Sequence, residues 1–239
     1  MENREYIRVK KPDSPFPLST NILRERTDQF WKCWVFYHLF SFYKEYDSIN
    51  LRNIIQQEQL KPNPRIERAI AKLIRKILKN TQEFCFNGFV INGEVTNDEE
   101  REGNYDIVIN HSYWGNAFHF ECKNLSLDHS KNLISKYVCY NMGHKVYDGG
   151  VYRYFNGKYA QNQDFGGMLG FVLSDNLKTI KAKINEKLKM KFDTSPNGDL
   201  KHITDNSIGN NDFTFDSIHN RNNVDFILHH ILFDFTSNS

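Results

Sequence analysis

The chain has 239 residues, of which 39% are hydrophobic and 25% are charged, and its formal net charge is +2. This composition is typical of a globular protein with a substantial core, and so small a net charge means that binding of a polyanion must depend on local basic clusters. No apolar run approaches the ~20 residues of a membrane span, the polar amino terminus does not begin a secretory signal, and the four cysteines form no C-x-x-C pair. We therefore expect a cytoplasmic protein with reduced thiols and no membrane partner.

Residues 1–60 are predicted to form an irregular arm followed by one aromatic helix. Pro12, Pro15 and Pro17 interrupt the arm. From residue 21 to residue 46, aromatic side chains recur at steps of three and four, which favours a strongly buried helix. The alternative is that exposed aromatic rings of this segment stack on nucleic-acid bases.

A second, amphipathic helix is predicted after Asn63, which favours the N-cap, and Pro64, which suits the first helical position. Its remaining positions divide into an apolar stripe and a basic face. Such a face is commonly solvated, but it can also contact phosphate groups. The stripe consists of Ile66, Ala69, Ile70, Leu73, Ile74, Ile77 and Leu78, and the basic face of Arg65, Arg68, Lys72, Arg75, Lys76 and Lys79.

The rest of the chain alternates apolar segments with polar turns. We predict strands at 83–91, 105–110, 117–123, 166–173 and 224–235, helices at 130–142 and 177–192, and loops at 96–103 and 193–223.

Two of these predicted strands carry isolated charges. Strand side chains alternate between faces, so Glu121 and Lys123 share one face while Cys122 joins the opposite packing layer. Asp106 is the single acid of the preceding apolar strand. Carboxylates and an ammonium near a core are costly unless a cation or an anionic substrate joins them. The pattern indicates metal-dependent chemistry on a phosphodiester.

An acid-x-lysine triplet by itself is weak evidence, since a chain of this composition contains about one by chance. The triplet that begins at Asp199 lies in a polar segment and is predicted to be such an accident. The triplet Glu121 to Lys123 instead ends a phenylalanine-alternating strand, fifteen residues after Asp106. For these residues the alternative is a salt bridge at the edge of a half-exposed hairpin.

The order helix, strand, strand with Asp, strand with Glu-x-Lys, helix and strand resembles the core of the PD-(D/E)XK nuclease superfamily. The resemblance covers Asn63 to Asp175, and Tyr105 stands where the family motif has proline. It implies an α/β fold with a restriction-endonuclease-like mixed β-sheet core flanked by helices and an N-terminal helical extension. The chain would be a single domain, with the arm and aromatic helix at 1–60, the catalytic core at 61–192, and a loop and C-terminal strand at 193–239.

By this resemblance, Asp106, Glu121 and the main-chain carbonyl of Cys122 would bind a divalent cation, Mg²⁺ or Mn²⁺. Lys123 would orient the attacking water or stabilise charge on the phosphate. Glu67 matches the helical acid that often completes such sites; alternatively it is only a favourable first-turn acid. Hard carboxylate oxygens suit Mg²⁺, which activates water and neutralises charge. The implied catalytic residues are Asp106, Glu121, Lys123 and Glu67.

Basic residues outside this motif are candidate nucleic-acid contacts. The segment 149–159 mixes glycine, aromatic and basic residues, as a hairpin at nucleic acid would, or as a glycine-turned hairpin with core aromatics would. The candidates are Arg68, Arg75 and Lys76 on the amphipathic helix, Arg153 and Lys158 in this segment, and His219 and Arg221 in the late loop.

Two further pairs of side chains are singled out by position. Tyr137 and Tyr140 lie on the helix after the motif, where related nucleases place a supporting Gln or Tyr. His229 and His230 lie in an apolar strand, where at most one should face inward, and a hydrogen-bonded structural histidine is expected there.

We therefore predict a Mg²⁺-dependent nuclease, with DNA as the expected substrate and restriction or anti-phage defence as the setting that the resemblance implies. The alternatives are a non-catalytic nuclease-fold subunit that binds nucleic acid or acts as a scaffold, and a DNA repair or junction-resolving nuclease. Two cuts in a duplex need two active sites, so a homodimer or a partner subunit is expected.

Overall fold

The computed structural model describes residues 23–46, 48–93, 95–96, 104–141, 147–156, 158–192, 198–205 and 212–236. Over these residues the protein is mixed α/β, with a seven-stranded mixed sheet flanked by helices, and this coarse part of the predicted fold class is confirmed. The predicted arm and most of the predicted loop at 96–103 lie outside the described residues.

The α-helices are α1 (Asp28–Glu45), α2 (Ser48–Gln59), α3 (Ile66–Asn80), α4 (Gln82–Phe86), α5 (Leu133–Val138) and α6 (Leu177–Phe192). The strands are β1 (Phe89–Asn92), β2 (Val95–Thr96), β3 (Asn104–Tyr105), β4 (Ile107–His111), β5 (Ala117–Leu125), β6 (Tyr140–Asn141), β7 (Tyr147–Asp148), β8 (Phe165–Val172), β9 (Asp199–Asp205), β10 (Thr214–Arg221) and β11 (Val224–Asp234). Short 3-10 helices cover His129–Lys131 and Val151–Tyr154.

The main sheet has the strand order β1-β4-β5-β8-β11-β10-β9, while β2 with β3 and β6 with β7 form two small sheets. Strand β8 pairs in parallel with β5 on one side and with β11 on the other. The pairs β1 with β4, β11 with β10 and β10 with β9 are antiparallel. Every residue of β8 is buried, as expected for a parallel strand covered on both faces.

The chain forms two compact units. The first consists of Met1–Val95 and Tyr105–His119, and the second of Thr96–Asn104 and Phe120–Ser239. The division falls within β5, so the triplet that begins at Glu121 belongs to the second unit.

An aromatic core holds the first unit together. Trp31 of α1 has no exposed surface, and its ring stacks on that of His111 with the centroids 4.3 Å apart. Asp28, in the first turn of α1, accepts a 2.6 Å hydrogen bond from the indole Nε1 of Trp114. The aromatic helix predicted from the sequence is therefore confirmed as a buried element, and the stacking of bases on Trp31 is excluded.

The amphipathic helix α3 begins later than predicted, and α2 before it was not predicted. The N-cap of α3 is Arg65, not Asn63. The carboxylate of Glu58 from α2 accepts a 2.9 Å hydrogen bond from the backbone N–H of Arg65, so a side chain from another helix satisfies the start of α3. The apolar stripe does face the core. Its fully buried positions, with Ala71 beside them, are Ile70, Ile74 and Leu78.

Glycines in β8 make room for two tyrosine rings in the second unit. A Cβ on Gly166 would lie 2.4 Å from the ring of Tyr154, and one on Gly170 would lie 3.3 Å from the ring of Tyr137. The Tyr154 hydroxyl also donates a 2.8 Å hydrogen bond to the carbonyl of Gly167. The predicted glycine-rich strand is thus confirmed, and its glycines admit side chains that bulkier residues would exclude.

Helix α6 and strand β11 are also confirmed at the predicted positions, but four predictions differ from the structure. Residues 83–86, predicted as strand, belong to α4. The prediction is wrong because a short apolar run is compatible with either a helical turn or a strand. The predicted loop at 193–223 contains β9 and β10. The helix predicted at 130–142 is reduced to α5, and the predicted hairpin at 149–159 contains a 3-10 helix.

Among the described residues, the structure contains no helix that combines the length and the apolar character needed to cross a bilayer.

Candidate active site

Strand β5 carries the acid-x-lysine triplet in the interior of the sheet. Glu121 is 1% exposed, and Lys123, two residues further on the same face, is half-buried. Glu121 lies opposite Met168 of β8 in the parallel register, so the triplet is not at the edge of a half-exposed hairpin. A buried carboxylate of this kind is tolerated only where hydrogen-bond donors or cations surround it.

Three donors surround the Glu121 carboxylate. Its Oε1 accepts hydrogen bonds from the ammonium of Lys123 and, at 2.8 Å, from Nη1 of Arg153. Its Oε2 accepts a 2.9 Å hydrogen bond from the hydroxyl of Tyr159. We refer to Glu121, Lys123, Arg153 and Tyr159 as the Glu121 cluster. Both carboxylate oxygens of the buried acid are therefore occupied in the structure.

The segment that supplies Arg153 and Tyr159 is held in place by its own backbone. The backbone N–H of Tyr159 donates to the carbonyl of Arg153 at 3.0 Å, and that of Arg153 donates to the carbonyl of Gly149 at 3.1 Å. Nη1 of Arg153 also lies 3.1 Å from the Tyr159 hydroxyl. Neither Arg153 nor Tyr159 was predicted from the sequence to contact Glu121. Arg153 was instead predicted to contact nucleic acid.

Burial, reinforced by the neighbouring Glu121 carboxylate, raises the pKa of Tyr159 far above its usual range. The phenol therefore stays protonated and donates its hydrogen to Glu121 Oε2. Because its proton is used in this way, its oxygen accepts from Arg153. Tyr159 thus fixes one carboxylate oxygen while the cations occupy the other.

Two oxygen atoms of the triplet converge on one positive centre. The Lys123 ammonium bonds to Glu121 Oε1 and, at 2.9 Å, to the main-chain carbonyl of Cys122. The Glu121 carboxylate and the Cys122 carbonyl are the two groups of the second unit that the resemblance assigns to a divalent cation. A carboxylate and a carbonyl oxygen are the hard ligands that Mg²⁺ prefers, so the donor set fits the ion.

The other predicted acids belong to the first unit. Asp106 lies between β3 and β4 and is half-buried, not within a strand as predicted. Its carbonyl accepts a hydrogen bond from Nη1 of Arg75 on α3. The Arg75 guanidinium passes so close to Gly93 that a Cβ there would overlap it. Arg75 therefore holds the backbone at Asp106, a local role that differs from the predicted phosphate contact.

Glu67 lies in the first turn of α3 and is half-buried. It precedes the buried Ala71 by four residues, so it continues the inward face of the helix toward the N-terminus. No group of three or more His, Cys, Asp or Glu side chains that could hold a metal occurs within the described residues. Because Glu67 and Asp106 belong to the first unit and Glu121 to the second, the complete set of metal ligands stays a prediction.

The remaining basic candidates divide by exposure. Arg68 and Lys76 are exposed on α3, as a phosphate-binding face requires, and Lys158 is half-buried next to Tyr159 in the chain.

His219 and Arg221 lie in strand β10, not in a loop, and the side chains of both form hydrogen bonds within the protein. His219 has no exposed surface, so its side chain is closed to a phosphate in this conformation. The guanidinium of Arg221 donates to the carbonyls of Tyr154, at 3.3 Å, and Gln163, and lies 4.0 Å over the ring of Phe226. These contacts stabilise the fold. The predicted position in a loop is wrong, whereas the nucleic-acid contact of these two residues stays a prediction.

A second set of buried polar side chains, which was not predicted from the sequence, forms a chain of hydrogen bonds in the second unit. The His230 ring is 2.9 Å from the Tyr137 hydroxyl at Nδ1 and 2.8 Å from Ser217 Oγ at Nε2. Ser217 Oγ is in turn 2.9 Å from His219 Nε2, and His219 Nδ1 is 2.7 Å from the carbonyl of Gly198. We refer to Tyr137, His230, Ser217 and His219 as the histidine network.

Hydrogen-bond direction in the histidine network follows from its carbonyl end. A carbonyl only accepts, so His219 donates from Nδ1. Because burial keeps both rings neutral, His219 accepts at Nε2 from Ser217, which accepts from His230, which accepts from Tyr137. Burial lowers the pKa of His219 to about 4, and burial together with His219, His229 and Lys181 lowers that of His230.

The expectation that at most one of His229 and His230 faces inward is wrong. His229 is 2% exposed and donates a 2.8 Å hydrogen bond from Nδ1 to the carboxylate of Asp216, while His230 has no exposed surface. Both faces of β11 are covered at these residues, so the alternation of side chains does not separate an exposed face from a buried one. The predicted hydrogen-bonded structural histidine is confirmed. Tyr137 supports this network rather than the Glu121 carboxylate, and Tyr140 lies in β6, beyond α5.

Comparison of the chain with protein-family models, with curated proteins and with solved structures finds no match. The resemblance to the PD-(D/E)XK nucleases therefore depends on the motif and the order of the elements alone.

Proposed function

We propose that the protein is a divalent-metal-dependent nuclease that hydrolyses phosphodiester bonds, with DNA as its substrate. One observation carries the proposal: the oxygens of Glu121 and Cys122 converge on a single cationic centre in an otherwise buried part of β5. A site that gathers hard oxygen ligands around positive charge is suited to Mg²⁺ or Mn²⁺. Restriction or anti-phage defence, action as a homodimer and location in the cytoplasm belong to the same proposal.

In this proposal, each residue of the triplet has a defined part. Glu121 and the Cys122 carbonyl would hold the cation, with Asp106 and Glu67 as further ligands. The bound cation supplies an activated water and neutralises charge at the phosphate. Lys123 places a compact ammonium beside Glu121, where it can position the water or bind a phosphate oxygen. Tyr159 keeps the Glu121 carboxylate in one orientation.

A gel assay with purified protein tests the proposal on DNA and RNA, duplex and single-stranded, in Mg²⁺ and in EDTA. We expect cleavage in Mg²⁺ only. Glu121→Gln keeps the size of the side chain but removes its charge, and Lys123→Met removes the ammonium. Each is expected to reduce the cleavage rate by about 10²-fold or more, since both groups act on charge that develops in the reaction.

The second acid-x-lysine triplet provides the matched control. Lys201→Met removes an exposed lysine whose ion pair with Asp225 lies in the same unit, and it should leave cleavage unchanged. Cleavage that survives both Glu121→Gln and Lys123→Met would refute the assignment.

A non-catalytic scaffold or nucleic-acid-binding subunit is the second candidate. It is favoured by the full set of donors on Glu121, because a carboxylate that Lys123, Arg153 and Tyr159 already satisfy needs no metal. Mg²⁺ titration by calorimetry separates the two candidates. Absence of binding, together with unchanged stability in Asp106→Ala, would favour the scaffold.

A further inference from the structure

We propose that Arg153 is an exchangeable cation of the site: it holds Glu121 in the structure described here and binds a phosphate of the nucleic acid once a divalent cation occupies Glu121. This inference rests on the proposed nuclease function and identifies a substrate-binding residue for it. Arg153 is not part of the acid-x-lysine motif; it lies 32 residues after Glu121.

The first argument is competition for one oxygen atom. Arg153 and Lys123 both donate to Glu121 Oε1, and Lys123 donates to the Cys122 carbonyl as well. A divalent cation that binds this oxygen meets two positive groups at hydrogen-bond distance. Like charges at such separations repel, so at least one of the two side chains must withdraw.

The second argument is exposure, which identifies the side chain that leaves. The side chain of Arg153 is 29% exposed, that of Lys123 is 15% exposed and that of Glu121 is 1% exposed. Arg153 therefore has the shortest path to solvent and to a substrate. Each side chain makes a second contact, Lys123 with the carbonyl of Cys122 and Arg153 with the hydroxyl of Tyr159, so exposure is what distinguishes them.

The third argument is the chemistry of the guanidinium. It stays charged at every physiological pH and presents a planar fork of donors that matches phosphate oxygens. A released Arg153 next to a bound cation therefore gains most from an anion, and the anion at this place in the proposed reaction is the phosphodiester. Tyr159 remains on Oε2, so Glu121 keeps its orientation during the exchange.

The exchange predicts two opposite effects of one substitution. In Arg153→Gln, the competing cation is gone, so Mg²⁺ and Ca²⁺ should bind in the absence of nucleic acid at least about 5-fold more tightly than to wild type, as for a typical coupling between two ligands. The same variant should bind a fluorescein-labelled DNA duplex more weakly in Ca²⁺, with a salt-dependence slope lower by about 1. In EDTA its DNA affinity should equal that of wild type, because Arg153 is then held by Glu121.

The experiment measures cation affinity by calorimetry and DNA affinity by fluorescence anisotropy, with RNA of the same sequence should the gel assay identify RNA as the substrate. Lys183→Gln, which removes an exposed lysine of α6 paired with Glu186, is the matched control. It should change neither the cation affinity nor the difference between the DNA affinities in Ca²⁺ and in EDTA. Should Arg153→Gln fail to fold, Arg153→Lys takes its place. Its shorter side chain should loosen the hold on Glu121 and tighten cation binding, while its charge preserves the salt slope.

Cation binding to Arg153→Gln, or to Arg153→Lys in its place, that is equal to or weaker than that of wild type overturns the exchange, as does a loss of DNA affinity of the same size in EDTA as in Ca²⁺. If wild type cuts nucleic acid in Mg²⁺ and either of these results is found, the inference fails and the proposed function stands. If wild type neither binds a divalent cation nor cuts any substrate, both fail.

Discussion

The second unit contains two buried polar groups that satisfy the same requirement in different ways. The Glu121 cluster combines a 1% exposed carboxylate with two cations, and it reaches the surface through the 29% exposed Arg153. The histidine network has no charged member and no exposed surface at any of its side chains. One group is a set of charges with a route to solvent, and the other is a sealed chain of neutral hydrogen bonds.

This difference indicates where function is to be sought. Neutral networks that are fully hydrogen-bonded rigidify a core, and their members have no freedom to change partners. A charged cluster with an exposed member can exchange one cation for another at little cost, since water or a ligand can replace the member that leaves. The proposed chemistry therefore lies with the Glu121 cluster, while the histidine network supports the fold, and three predictions of stability or pH dependence test this difference in environment.

The largest expected effect is a loss of unfolding free energy at low pH, caused by protonation of the histidine network. An unfolded histidine binds a proton below about pH 6.5, whereas folded His219 stays neutral down to a pKa of about 4. Stability is therefore full above pH 6.5 and falls as the pH drops toward 4, by about 3 kcal/mol for His219 at pH 4 and by more with His230. Urea unfolding across this range measures it.

Carboxylates also titrate in this range, so the comparison with His219→Gln isolates the histidine. The slope of unfolding free energy against pH should be lower in the variant by about one proton, or about 1.4 kcal/mol per pH unit. Identical slopes would show that His219 titrates normally and that the network is not sealed.

The next effect comes from the Glu121 cluster. Glu121→Ala removes the carboxylate that Lys123 and Arg153 share, and we expect the free energy of unfolding to fall by about 3 kcal/mol, the lower end for a broken buried ion pair because both cations are partly exposed. Asp225→Ala removes the exposed partner of Lys201 and should stay within about 0.5 kcal/mol of wild type. Equal losses in the two variants would mean that Glu121 is as solvated as a surface acid.

The smallest of the three effects belongs to Ser217, which links His230 to His219. Ser217→Ala leaves two buried ring nitrogens without that hydroxyl and should cost about 2 kcal/mol in unfolding free energy. Ser130→Ala is the control, because its hydroxyl donates to Asp128 at an exposed position. A loss no larger than that of Ser130→Ala would show that water replaces the hydroxyl and that the network is open.

Sequence patterns predicted the parts of this fold that depend on local periodicity. The bounds of α6 follow from spacing of 3.6 residues and the shared face of Glu121 and Lys123 from spacing of 2, while β8 follows from a continuous apolar run. Strand β9 was missed because it is a polar edge strand whose burial pattern carries no alternation. Strand β10 was missed because it buries polar residues, among them Asp216, Ser217 and His219, whose composition is typical of a loop. Helix α4 was missed because one helical turn is too short to show a period.

Partners across the chain could not be predicted in the same way. Arg153 and Tyr159 reach Glu121 from 32 and 38 residues away, and their segment has no pattern that indicates a common target. Tyr159 contributes a single hydroxyl at the end of a buried ring, which no spacing rule distinguishes from a core tyrosine. The sequence showed only that the segment was rich in aromatic and basic residues.

What the sequence by itself determined is which residues share a face: Glu121 with Lys123, and His229 opposite His230. What each face meets was decided by the tertiary structure, because burial depends on the elements that pack against both sides of a strand. Covered on both sides, β11 buries both histidines, and β5 buries an acid that must then collect donors from distant parts of the chain. The acid-x-lysine motif was thus visible in the sequence, and the arginine and the tyrosine that also bind its carboxylate were not.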